Sequence, residues 1–223
     1  MDNFYYCNPT KIIFGKNTIK NISKEIPKSS KVLVIYGQGS IKKNNVFNQV
    51  KDVLNDYIWF EFGGITPNPE YEQCLQAVTL IKEKKIDFLL AVGGGSVIDA
   101  TKFIALASFY NETPEPWDFI IMKKKMPKQS IPFGCILTLP ASGSEMNNAF
   151  VISRKQRQEK LTCSSYITYP QFSVLDPETT FSLPKHSTLN GIIDTFTHIF
   201  EQYITYPCLS PLQDRQAEAI ILT

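Results

Sequence analysis

The 223-residue sequence predicts an α/β protein with a mostly parallel sheet, followed by the start of an all-helical region. Three observations predict it. Short apolar runs that stop at glycine or at Asp-Pro alternate with segments of helical period, the pattern of repeated β-α units. Two of the runs, "KVLVIYGQGS" (Lys31–Ser40) and "DFLLAVGGGS" (Asp87–Ser96), are continuously apolar before their glycines, as strands covered on both faces are. From about Thr188 strand signals cease and helical periods take over.

In order, "KIIFG" (Lys11–Gly15) reads as a short strand ending in a glycine turn, and Thr18–Ile26 as a helix. The Lys31 strand follows, then a helix over Val46–Leu54 and a strand over Tyr57–Gly64. "NPEYEQCLQAVTLIKEK" carries Cys74, Ala77, Val78 and Ile81 on one stripe, which makes it an amphipathic helix. Asp87–Ala107 runs from strand through a glycine turn to a helix starting near Val97. Ile131–Glu145 is a strand that opens into a loop of small polar residues, and Gln171–Pro177 is a strand closed by Asp-Pro. The boundary falls between residues 1–187 and 188–223. The second segment holds the first helices of the helical region, and the last of them has no cap or glycine stop at Thr223, so the chain is expected to be the front part of something longer.

The net charge of +2 offers no electrostatic footprint for nucleic acid or a membrane surface. The Lys123-Lys124-Lys125 run reads as a solvated loop. Five cysteines, an odd number with no C-x-x-C pair, fit a reducing compartment better than a disulfide framework. The first residues lack a basic start followed by an apolar stretch, and no apolar run approaches the ~20 residues of a membrane span. The expectation is a soluble, cytoplasmic protein.

Four segments carry candidate chemistry. In "VGGGSVIDATK" (Val92–Lys102) a buried strand runs through Gly93, Gly94, Gly95 and Ser96 into a helix. Three glycines let a diphosphate reach the backbone N–H groups of a helix start; a tight strand-to-helix turn without a ligand is the alternative. The spacing is not G-x-G-x-x-G. "VIYGQGSIKK" (Val34–Lys43) places Gly37 and Gly39 at another strand end with no carboxylate in the turn. Ser40 with Lys42 or Lys43 suits a 2′-phosphate, or the turn is a plain loop. "TLPASGSEMNNAFVIS" (Thr138–Ser153) offers hydroxyls suited to a cofactor amide or ribose, or is a surface loop. In "NGIIDTFTHIFEQY", Asp194 and His198 stand four apart on one helix face. A carboxylate and an imidazole at that spacing suit a metal ion, although two ligands alone seldom hold one; a histidine that is merely packed or exposed on the helix is the alternative.

Together these residues resemble the iron-containing (group III) alcohol dehydrogenase family, in particular its butanol dehydrogenase and NADPH-dependent aldehyde reductase branch. The resemblance spans the chain through "PTKIIFGKNTI", "GGITPNP" (Gly63–Pro69), "AVGGGSVIDATK" and "LTLPASGSEMN". The most specific match is "SVLDPETTFSLPKHSTLNGIIDTFTHIFEQ", in which Asp176, Pro184, Gly191, Asp194, Thr195, His198 and Glu201 fall at the family's spacing.

The resemblance implies a dehydroquinate synthase-like architecture, a dinucleotide-binding domain followed by a helical metal-binding domain. It implies NADP- or NAD-dependent interconversion of primary alcohols and aldehydes. It makes Asp194 and His198 the first two ligands of a divalent metal, Fe2+ or Zn2+, with two further histidines expected in helices beyond Thr223. His186 matches neither of them.

It also implies that Gly94, Gly95 and Ser96 hold the diphosphate, that Gly37, Gln38, Gly39 and Ser40 face the adenosine ribose, and that Thr138, Leu139 and Ser144 line the nicotinamide side. Asp99 is either near the nicotinamide carboxamide or ribose, or a carboxylate stabilised by the helix dipole. Lys160 is either cofactor-proximal or an exposed basic loop residue. Gln38 stands where relatives often have glycine. The missing carboxylate after the Val32–Tyr36 strand leans toward NADP. A homodimer is implied by the resemblance alone. A non-catalytic NAD(P)-binding fragment and a glycerol dehydrogenase-like polyol oxidoreductase are the competing readings.

Overall fold

The computed structural model describes residues 3, 5–122, 125–205 and 210–223. Lys123 and Lys124 of the lysine run, and Cys208, lie outside the described residues.

Six strands form one sheet: β1 (Lys11–Phe14), β2 (Lys31–Tyr36), β3 (Ile58–Phe62), β4 (Phe88–Gly94), β5 (Phe133–Leu139) and, later in the chain, β8 (Phe172–Leu175). Their order is β1-β8-β5-β4-β2-β3, and every pairing is parallel. The continuous apolar runs are explained by burial on both sides of this sheet. Leu33, Ile35, Leu89 and Ala91 face one apolar layer, while Val32, Val34, Leu90 and Val92 face the other. Successive strand residues point to opposite faces, so a strand with two covered faces shows no polar alternation.

The first layer is built by α3 (Tyr71–Lys84), α4 (Gly95–Ala107) and α5 (Trp117–Met122). The second holds α2 (Val46–Val53), which follows the one-turn helix α1 (Ser40–Lys43), together with the segment after β1. That segment, expected as a helix over Thr18–Ile26, is a 3-10 helix over Ile19–Lys24. The tighter winding eclipses residues three apart, and it drops Ile19 and Ile22 together onto the sheet, both buried. The Asp176 carboxylate accepts the Thr18 backbone N–H at 2.9 Å and ties the segment's start to the end of β8.

A two-stranded antiparallel hairpin, β6 (Ala149–Arg154) and β7 (Glu159–Ser164), stands where loops were expected. Its turn ends at Gln158 with φ of 52°, so no glycine announces it. Phe150, Ile152 and Arg154 alternate inward, and Phe150 packs edge-on against Phe103 of α4 with ring centroids 6.3 Å apart.

Helix α6 (Lys185–Ile204) begins three residues before the change of texture in the sequence, and α7 (Pro211–Ile221) follows it. Gly191 is the one buried residue of α6. A Cβ there would stand 2.7 Å from the Pro140 carbonyl oxygen, so the glycine is what lets the helix lie on the end of β5. Among the described residues no helix is long and apolar enough to cross a membrane.

Candidate functional site

Strand β4 ends at Gly94 and α4 begins at Gly95, with no loop between them. The helix thus starts two residues earlier than expected. The junction needs small residues: a Cβ on Gly93 would meet Val97 Cγ2 at 2.5 Å and its Cβ at 2.8 Å. At Gly95 it would meet Ser142 Oγ at 2.4 Å.

Tyr36 at the end of β2 pairs with Val92 of β4, so the Gly37–Ser40 turn and the glycine junction lie side by side at adjacent strand ends. From β2 the chain proceeds outward to β3, and from β4 it proceeds to the other side through β5. Such a reversal leaves a crevice at the strands' carboxyl ends. A cleft of about 360 Å³ occupies it, lined by Gly37, Gln38, Ser40, Gly94, Gly95, Ser96, Thr138 and Leu139 among others. The first turn of α4, which has no acidic side chain, opens into this cleft. Its free N–H groups and its dipole favour an anion. Gly39, with φ of 99°, turns the chain into α1 and is not among the lining residues.

Lys42 is committed elsewhere. Its Nζ donates to Glu61 Oε2 at 3.0 Å and lies over the Tyr36 and Phe47 rings, while the Tyr36 hydroxyl also donates to Glu61 at 3.0 Å. Glu61 comes from β3, so a carboxylate that the turn's own sequence lacks arrives from the neighbouring strand.

Behind the junction lies a buried polar network. Asp99 Oδ1 accepts the Ser144 hydroxyl at 2.6 Å and its Oδ2 accepts the Val151 N–H at 3.0 Å. Burial pushes its carboxyl above the usual carboxylate range, opposed by those two hydrogen bonds and by the Lys102 and Lys160 charges. Lys102, which sequence reading missed, is fully buried on α4. The only trace it left was a lysine inside "VIDATKFIALA", a segment otherwise almost wholly apolar. Lys160 lies on β7, not on a loop. Its Nζ is exposed and donates to Asn68 Oδ1 at 2.7 Å, across to the loop that follows β3.

The hairpin carrying Lys160 is held by Arg154. The guanidinium donates to both oxygens of Glu115, at 2.9 and 3.1 Å, and to Glu72 at 3.2 Å, and it stacks over Tyr71. A fork of this kind fixes direction as well as distance.

A second cleft, of about 400 Å³, adjoins the first at Leu139 and Leu183 and runs under α6 past Gly191 and Thr195. Asp194 and His198 lie on that helix. Asp194 Oδ1 is 3.7 Å from His198 Nε2, and both side chains are about half exposed, at 50% and 52%. One oxygen and one nitrogen donor, one turn apart, are the right kinds of ligand for Fe2+ or Zn2+. Among the described residues no group of three or more His, Cys, Asp or Glu side chains that could hold a metal ion forms, so the pair makes no closed cage there. His186, in the first turn of α6, is exposed and does not join it.

A parallel sheet covered on both faces, opening at its reversal point onto glycines and a helix start, places the protein in the open α/β class. More particularly, the chain belongs to the iron-containing alcohol dehydrogenase family, whose model matches residues 9–177. It is 49% identical over 223 residues to the NADPH-dependent aldehyde reductase YqhD of Escherichia coli K12, covering all of this chain and 58% of that protein. To the probable NADH-dependent butanol dehydrogenase 1 of Bacillus subtilis 168 it is 44% identical, again over 58% of the relative's length. The crystal structure of E. coli K-12 YqhD superposes with a TM-score of 0.95 at 48% identity, over 98% of this chain and 56% of that one. NADH-dependent butanol dehydrogenase A from Thermotoga maritima gives a TM-score of 0.92 at 40% identity, over 99% and 56%. The chain thus spans somewhat more than half the length of these relatives.

Proposed function

We propose that this chain is the cofactor-binding part, with the first metal-binding helix, of an oxidoreductase that interconverts primary alcohols and aldehydes with NAD(P)H. The observation that carries the reading is the loop-free β4–α4 junction, where glycines and a helix start line a cleft at the reversal point of the sheet. Residues 1–187 form the dinucleotide-binding domain and 188–223 the start of the metal-binding helical one.

When bound, the nicotinamide supplies or accepts the hydride, and a divalent ion, Fe2+ or Zn2+, polarises the substrate oxygen. The chain's own residues bind and orient. Backbone N–H groups of Gly94, Gly95 and Ser96 receive the diphosphate. Gly37, Gln38, Gly39 and Ser40 face the adenosine ribose; the turn has no carboxylate of its own, which leans toward NADP, while Glu61, brought beside it by β3, leans toward NAD. Thr138, Leu139 and Ser144 line the nicotinamide side, and Asp99, with Lys160 nearby, meets the carboxamide or ribose. Asp194 and His198 would hold the metal, and Leu139, Leu183 and Phe196 give the adjoining cleft an apolar lining. A homodimer in the cytoplasm completes the reading, the first on family resemblance and the second on cysteine usage.

The relatives named as an NADPH-dependent aldehyde reductase and as a probable NADH-dependent butanol dehydrogenase support this chemistry. The test is to mix the chain with NADPH, butyraldehyde and Fe2+ or Zn2+. Turnover that a chelator suppresses supports the enzyme. Cofactor binding without turnover reduces the chain to a non-catalytic NAD(P)-binding unit, a reading favoured by the two-donor metal site. Absence of cofactor binding overturns both.

A further inference from the structure

Lys102 is fully buried, and its Nζ has four oxygen neighbours: Ser144 O at 2.7 Å, Ser144 Oγ at 2.9 Å, Asn147 Oδ1 at 2.9 Å and Ala149 O at 2.7 Å. They come from the short segment that leads from β5 into the hairpin and from the hairpin's first residue, Ala149. Burying an ammonium is costly even with good partners, and an uncharged side chain of the same length would fill the space. The charge has a directional effect that a neutral residue lacks. An ammonium donates and cannot accept, and its three N–H groups are shared among these four oxygens, so it cannot take the Ser144 hydroxyl proton. The Ser144 proton is then free only for Asp99, whose Oδ1 it meets at 2.6 Å. The other oxygen of Asp99 takes the Val151 N–H, so both ends of the carboxylate are held.

We propose that Lys102 is a positioning residue for the nicotinamide half of the cofactor: by committing the Ser144 hydroxyl proton to Asp99, it sets the orientation of that carboxylate. This rests on the reading above for the identity of the group Asp99 meets. A neutral Lys102 amine has a lone pair that accepts the Ser144 O–H and withdraws it from Asp99, so the arrangement depends on charge. Burial pushes the Lys102 ammonium down to about 8. The titratable groups facing it are Asp99 on its own helix, Glu145 in the segment before the hairpin, and Cys135 on β5. Both carboxylates favour the ammonium. Cys135, its thiol pushed up to about 12 by burial, is neutral at working pH.

The experiment compares two ligands by titration calorimetry. One is whichever of NADPH or NADH the wild-type chain binds more tightly. The other is the matching fragment without nicotinamide, 2′-phospho-ADP-ribose or ADP-ribose. Lys102→Met should weaken the whole cofactor about tenfold, the worth of a charge-assisted hydrogen bond, and leave the fragment within about twofold. In the wild type the preference for the whole cofactor should decline from pH 7 to pH 9, and in the variant it should be flat. If Lys102→Met does not melt cooperatively, Ser144→Ala carries the test, because Lys102 then keeps its two carbonyls and Asn147. Because Ser144 itself lines the nicotinamide side, the decisive readout in this variant is the pH profile, which should be as flat as in Lys102→Met. Equal weakening of both ligands, no weakening, or an unchanged pH profile overturns the positioning role. A wild-type chain that binds neither ligand overturns the functional reading itself.

Discussion

Asp99 and Asp194 are both helical aspartates with a basic residue one turn further on, Lys102 and His198. Asp99 and Lys102 are packed beneath the hairpin, joined through Ser144, with partners for each polar atom of the link. Asp194 and His198 touch each other at 3.7 Å and are half exposed. The spacing in sequence is nearly the same; the surroundings are opposite. α4 lies between the sheet and the hairpin, so its polar groups must be satisfied inside the protein. α6 rests on the sheet through Gly191, and its aspartate and histidine stay free to take a ligand. An acid–base pair at helical spacing announces that two groups can act together, and the packing around the helix decides whether the protein holds them in place or leaves them open to solvent.

The comparison breaks first at the junction that seats α4. Gly93→Ala should cost about 2–3 kcal/mol through overpacking against Val97, lowering Tm in a thermal melt by about 6 °C and reducing cofactor affinity with it. An unchanged Tm would mean that the strand-to-helix junction is not as close-packed as the Val97 distances require. Arg154→Ala comes next. It removes the clamp that holds the hairpin over α4, and a fall in Tm of about 5 °C, with faster hydrogen exchange in β6 and β7, is expected.

Stability against pH gives a third measure. Lys102 titrates near 8 in the folded chain, against an ordinary 10.5. Between those values the unfolded chain holds the extra proton, so stability rises with pH across that window, and below it the full cost of burying the ammonium remains. Lys102→Met should flatten that part of a urea-denaturation series. Stability and nicotinamide-selective binding would then move in opposite directions with pH.

On α6 the expected stability effect is near zero. Asp194→Ala and His198→Ala should each shift stability by less than about 0.5 kcal/mol, as exposed substitutions do. Each should nevertheless weaken Zn2+ uptake in calorimetry at least about tenfold, since one of two donors is gone. A large loss of Tm would show that the pair is structural after all. The smallest effect is expected for Glu61→Gln, which frees Lys42 beside the adenosine end. Affinity for NADPH should rise about twofold, in keeping with an exposed ion pair, while affinity for NADH should stay unchanged.

Much of the fold was legible because its signals are local. The strands at Lys31 and Phe88 declared themselves by unbroken apolar runs, and α3 by its stripe through Cys74, Ala77, Val78 and Ile81. The cleft residues at Gly37, Gly94, Gly95 and Ser96 were legible for the same reason: glycines at a strand end restrict what the backbone can do there. The hairpin was not, because its turn reaches positive φ at Gln158 and because its inward face includes Arg154, a charge that reads as surface until Glu115 and Glu72 are brought to it. Nor was the partner of Lys42, since Glu61 becomes its neighbour only through the β2–β3 pairing.

The sequence by itself determined the order of the six sheet strands along the chain, the glycine junction and the one-turn spacing of Asp194 and His198, because each depends on neighbours within a turn or a strand. The tertiary structure alone decided that Lys102 is buried and Asp99 raised, that Lys160 stands on a strand facing Asn68, and that Lys42 is already paired. Those outcomes depend on residues far apart in the chain, and burial and charge are set by what surrounds a side chain after the sheet has formed.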